Sequence, residues 1–133
     1  MNKKALISVL VMFVLSMLIG LVAHGILLKP DYAALPTLFR AEADAETKFA
    51  YMLLAHVFLA LGFVWIYLRG KDDKPFLGQG IRYGLAVAVL VAAPTYLIYY
   101  AVQPMPGMLA FKQILFDSVG YVLMGIVVAA LNK

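Results

Sequence analysis

The chain predicts an all-α fold: an integral membrane four-helix bundle with helices running antiparallel, up-down-up-down, and both termini cytoplasmic. Three observations predict it. Four apolar runs take up most of the 133 residues. The composition is 65% hydrophobic and 14% charged, whereas soluble domains carry about 25% charged residues. The basic residues, finally, divide unevenly between the two sides that four crossings would create.

The first run spans about Ala5 to Leu28, behind Lys3 and Lys4. A basic start and an apolar stretch also describe a signal peptide, but these 24 residues exceed its core, which is roughly 7–15 residues long. No convincing small-x-small cleavage site follows, so the run is expected to be an anchor. The second run is 49–68 and the third 81–102. The fourth, 108–131, is interrupted by Lys112, Gln113 and Asp117 but remains long enough to cross. These spans leave room for a single membrane domain, 1–133.

The connections differ. Lys29 to Lys48 is long and acidic, holding Asp31, Glu42, Asp44 and Glu46, and its apolar part Ala34–Arg40 is expected to lie on the membrane surface. Arg69 to Gly80 is short and basic, with Pro75 suited to the first turn of the next helix. Gln103 to Gly107 is a tight turn, which makes the third and fourth helices antiparallel neighbours. With both ends inside, the inner side holds seven basic residues, Lys3, Lys4, Arg69, Lys71, Lys74, Arg82 and Lys133. The outer side holds four, Lys29, Arg40, Lys48 and Lys112. That bias sets the orientation. It also accounts for the net charge of +4 without a nucleic-acid partner.

The absence of cysteine rules out disulfides, thiolate–metal sites and dithiol redox relays. The chemistry must therefore reside in the few polar residues within the spans. Small residues mark where helices can approach closely in lipid. Gly80, Gly84, Ala88 and Ala92 form a continuous stripe at i+4 spacing on the third helix. Its simplest role is packing within the bundle, and its sharper one is a seam for docking a second copy or another membrane chain. Either contact is expected to fail when Gly84 becomes isoleucine.

Extending the small stripes by four residues leads to polar positions. Ser16 and Gly20 lead to His24, Gly125 and Tyr121 to Asp117, Ala88 and Ala92 to Tyr96, while His56 shares a stripe with Ala60. All four polar groups, His24, His56, Tyr96 and Asp117, are placed in the outer leaflet facing inward. An acid inside a span is costly, so Asp117 needs a partner, which a histidine or tyrosine would supply.

Several roles fit those residue types. Two histidines on neighbouring spans could ligate a b-type haem, although His24 and His56 differ in depth. A quinone site would use histidine and aspartate as hydrogen-bond partners, and a proton-coupled transporter would use Asp117 as carrier. A metal site from His24, His56 and Asp117 lacks any His-x-x-x-His spacing, so no metal is expected. The plainest role is a polar contact that fixes helix register. Pro94 removes a backbone bond to Leu90 and is expected to kink the third helix.

Comparison with known families removes options. Small multidrug transporters carry a glutamate in the first span, and this chain has no acid there; rhodopsins need a buried lysine, and none lies mid-span. The chain looks most like the small four-helix proteins of bacterial inner membranes, a resemblance of architecture that transfers no residue roles. Because spans take up most of the chain, no reactive triad is visible and a small-residue seam could dock another helix, the expected role is an accessory subunit or interaction partner in a plasma membrane, with no chemistry of its own evident. Lipid and other membrane chains, or a second copy, are its expected partners. The alternative is a haem b- or quinone-binding carrier, or a small proton-coupled transporter.

Overall fold

Helix formation begins immediately, because the Asn2 side chain accepts a hydrogen bond from the Ala5 N–H at 2.8 Å and so caps the first turn. In the computed structural model, which describes residues 2–133, everything regular is helical, with no strand among the described residues. Four long helices dominate: α1 (Lys3–Leu27), α4 (Phe49–Gly70), α5 (Phe76–Val102) and α6 (Gly107–Leu131). The shortest has 22 residues, about 33 Å at 1.5 Å per residue, against a hydrocarbon core of about 30 Å. By length and composition all four could cross a membrane. Two one-turn helices, α2 (Lys29–Ala33) and α3 (Glu42–Glu46), lie in the long connection. Helix α5 begins at Phe76, behind Pro75, earlier than the expected start at residue 81.

The small-residue stripe is used inside the chain. A Cβ added at Gly80 would come within 2.6 Å of the Gly125 carbonyl oxygen, and one at Gly84 would collide with the Tyr121 carbonyl and Val122 Cα. Backbone therefore touches backbone along α5 and α6, with Gly80, Gly84, Ala88 and Ala92 all buried. The docking seam expected as an alternative is thus already occupied by α6, because glycine faces glycine and leaves no room for a further helix.

At the end where the termini meet, Lys4 Nζ donates to the Lys133 carbonyl at 3.2 Å, and Asn132 Nδ2 donates to Ser8 Oγ at 2.9 Å. Above these contacts Met12, Ala60, Phe63, Val64, Tyr67, Met124, Val128 and Ala129 form the main core. Tyr83 joins α5 to α4, its hydroxyl donating to the Phe63 carbonyl at 2.5 Å. At the opposite end Leu28, Met105 and Leu109 form a second core, onto which Tyr32, Leu35, Leu38 and Phe39 of the long connection fold.

Two of the long helices widen locally. Leu21–Leu27 of α1 and Ala88–Ala92 of α5 are π-helical. In α5 the wide turn lies just before Pro94, where the backbone bond missing at proline is absorbed by a change of helix type. In α1 the wide segment contains His24. Wide turns of this kind commonly mark functional positions.

Candidate functional site

The polar centre is assembled from α1, α2, α5 and α6. His24 Nε2 lies 2.8 Å from Asp117 Oδ1, and the Tyr96 hydroxyl donates to Asp117 Oδ2 at 2.6 Å. Each oxygen of the half-buried acid therefore has a partner. On the far side of the imidazole, His24 Nδ1 lies 2.6 Å from the Tyr32 hydroxyl. Gln113 Nε2 donates to that same hydroxyl at 3.3 Å.

The donors can be ordered from this geometry. A carboxylate only accepts, so with Asp117 ionised His24 Nε2 carries the hydrogen. With Nδ1 then an acceptor, the Tyr32 hydroxyl donates to it and itself accepts from Gln113. The result is one chain of bonds, from Gln113 through Tyr32 and His24 to Asp117, with Tyr96 closing the far oxygen. Tyr32 is suited to the donor role, since its burial, together with the charges of Asp117 and Asp31, raises the phenol above its ordinary value, against the lowering effect of the Gln113 bond.

Local structure explains why these side chains converge. His24 turns toward α6 from the π-helical segment. Tyr32 reaches it because Pro30 starts α2 immediately after the span, folding the chain back. Lys112 Nζ holds that fold with bonds of 2.9 and 3.2 Å to the two Asp31 oxygens. The Tyr32 ring lies nearly parallel to the imidazole, at 9° and 6.1 Å between centroids, with Phe39 against its other side at 4.7 Å. Gln113 is 4% exposed, and its Oε1 has no partner among the described residues. Exchanging the two ends of the amide would only leave its NH₂ unpartnered instead, so this position calls for one further polar group.

Of the four residues expected to share a centre, three do: His24, Tyr96 and Asp117. His56 does not bond to them. Its Nδ1 lies 2.8 Å from Ser16 Oγ, which also donates to the Phe13 carbonyl at 2.9 Å, so the imidazole Nδ1–H is the donor to serine. The ring lies against Gly20, where a Cβ would stand in ordinary contact with His56 Cε1 at 3.5 Å. Two consequences follow. His24, with both ring nitrogens engaged, does not present a free axial nitrogen for a haem shared with His56. His24, His56 and Asp117 do not come together as one group, and no group of three or more histidine, aspartate or glutamate residues that could hold a metal ion occurs among the described residues.

Tyr32 and Gln113 were not expected at the site. Gln113 sits four residues before Asp117, on the stripe that already joined Gly125, Tyr121 and Asp117, so one more step along that stripe would have reached it. Nothing local marks Tyr32, because its place depends on the path of the connection. The Ser16–His56 bond is expected to be a modest tie between α1 and α4. A double-mutant cycle on Ser16→Ala and His56→Ala, read by reversible denaturation in detergent, should give a coupling of about 0.6 kcal/mol.

The polar centre thus combines an acid, an imidazole and two phenols in a continuous hydrogen-bonded chain within an all-helical bundle whose four long helices are apolar enough to cross a membrane. Neither a family model, nor a curated protein, nor a solved structure matches the chain.

Proposed function

We propose that this is a small multi-pass protein of a bacterial inner membrane, with both termini cytoplasmic, that moves protons at the His24–Asp117 pair as the carrier group of a proton-coupled transporter. The uneven distribution of basic residues supports the orientation. Paired contacts support antiparallel helices: Gly80 with Gly125 and Tyr96 with Asp117 join α5 to α6, and Ser8 with Asn132 and His24 with Asp117 join α1 to α6.

One observation carries the functional proposal. Asp117 is an acid set within a span, and His24 connects it directly to a tyrosine of the extramembrane connection. A proton delivered at the Tyr32 side is taken by His24 Nδ1, while the Nε2 proton passes to Asp117. Such a shift leaves every heavy atom in place, and it neutralises the one charge that is expensive at that depth.

Infrared titration of the purified protein in lipid tests the proton step. A protonated-carboxyl band should appear on acidification and should be missing in Asp117→Asn. Currents on a solid-supported membrane, across a panel of small amines, cations and carboxylates, test the transport step. Carboxyl spectra that do not change with pH, or substrate currents that Asp117→Asn leaves intact, would refute the proposal.

A second role, as an accessory subunit of a larger membrane assembly, is favoured by α4. That helix exposes Tyr51, Phe58 and Trp65, each more than 60% accessible among the described residues. Extraction in a mild detergent followed by native mass analysis should then yield a complex. A strictly monomeric species with nothing bound would eliminate this role.

A further inference from the structure

At the end opposite the polar centre, the short connection between α4 and α5 frames a cleft of about 300 Å³, whose lining includes Tyr67, Asp72, Lys74, Gln79, Arg82 and Tyr83. That volume is enough for a small polar headgroup. Its rim is fixed by one side chain. Gln79 Oε1 accepts from the Asp72 N–H at 2.8 Å, and its Nε2 donates to the carbonyls of Asp72 at 2.8 Å and Lys74 at 2.7 Å.

The charges of this cleft are unbalanced. Lys74 is paired with Asp72 at 2.7 Å, whereas no carboxylate oxygen lies within 4.0 Å of Arg82 among the described residues. The lining thus carries two cations and one anion, a net charge of +1, with the guanidinium free. Tyr67 is only 5% exposed and lines the same cleft, yet its hydroxyl bonds no described residue. The Tyr67 hydroxyl and the exposed Arg82 guanidinium face one space and together suit an acceptor carrying several oxygens.

We propose that this cleft binds the phosphodiester headgroup of an anionic phospholipid. Arg82 takes two phosphate oxygens in its planar fork, Lys74 adds charge, and the Tyr67 hydroxyl donates to a third oxygen. A lipid fits better than free phosphate because of where the cleft opens. Arg82 and Tyr83 lie in the first turns of a spanning helix, and Ile66 and Tyr67 in the last turns of another, so the apolar wall continues into the acyl region. Trp65, with the Arg69 guanidinium 5.7 Å above its ring, marks the interface at the same level. Basic recesses between spanning helices are suited to anionic headgroups.

Native mass spectrometry of the delipidated full chain, titrated with phosphatidylglycerol or phosphatidylcholine, tests this site. Single-lipid binding should favour phosphatidylglycerol by about tenfold, and Arg82→Gln should abolish the preference, as expected for loss of a charged hydrogen bond. Tyr67→Phe, which removes only the hydroxyl, should weaken binding severalfold, while Lys133→Gln, at the same end, should leave it unchanged. Circular dichroism checks that each variant is folded. Equal binding of both lipids overturns the proposal. So does an equal loss in Lys133→Gln, which would mean diffuse surface charge, and so does displacement of the lipid by soluble glycerophosphate at equal concentration, which would mean a free-phosphate site.

Discussion

Isoleucine in place of Gly84 is expected to abolish the folded monomer, with no prior loss of any oligomer. The close approach of α5 and α6 depends on glycines along the seam, and the atoms that a side chain at position 84 would meet are backbone atoms of Tyr121 and Val122. Backbone cannot rotate away as the end of a side chain can. Even one added methyl must therefore push the helices apart along their whole seam, separating Gly80 from Gly125 and drawing Tyr96 away from Asp117 in the next turns. Overpacking of a tight core costs about 1–3 kcal/mol, and here the lost contacts on either side add to it. Gly84→Ala should lower the detergent melting temperature clearly, and Gly84→Ile should leave no cooperative transition. Gly78→Ala is the matched control, because nothing lies within 4 Å of a Cβ at that position and the substitution improves helix propensity. Equal melting of Gly84→Ile and the parent protein would show that the seam is not where the two helices are held.

This comparison also shows what the chain discloses before it is folded. The spans, the stripe of small residues and the depth of Asp117 are all functions of spacing along single helices, and spacing is written in the sequence. His24, Tyr96 and Asp117 could be placed together for that reason: each continues a small stripe, and small stripes face neighbouring helices. His56 continues one as well, beside Ala60, but which neighbour a stripe faces is a property of the bundle. It faces Ser16 of α1, two turns away from His24 along that helix. Tyr32 was illegible for a different reason. A six-membered ring in a twenty-residue connection reaches His24 only because Pro30 and the Lys112–Asp31 pair fold α2 back onto the bundle, and no local periodicity records that path. The π-helical segment around His24 is hidden for the same reason, since widening a helix by a fraction of a turn leaves the apolar pattern of Leu21–Leu27 unchanged.

Removal of the Asp117 carboxyl should have the second large effect, and the choice of replacement separates its structural part from its chemical one. Asp117→Leu leaves the His24 Nε2–H and the Tyr96 hydroxyl without an acceptor in a partly buried setting, and each such orphan costs about 1–3 kcal/mol. The variant should be markedly destabilised, with α2 released as well, because His24 can no longer hold Tyr32 in line. Asp117→Asn retains one oxygen as acceptor and offers an NH₂ group where Oδ1 or Oδ2 stood, so it should keep most of the fold while losing the proton site. The expected result is therefore a split: both variants lack the pH-dependent carboxyl band and substrate-driven current, but only the leucine variant melts at a much lower temperature. If the asparagine variant instead kept full substrate current while the leucine variant melted early, the carboxyl would be holding helices together and carrying nothing. The two measurements thus decide whether the bond between α1 and α6 serves register alone or also the passage of a proton.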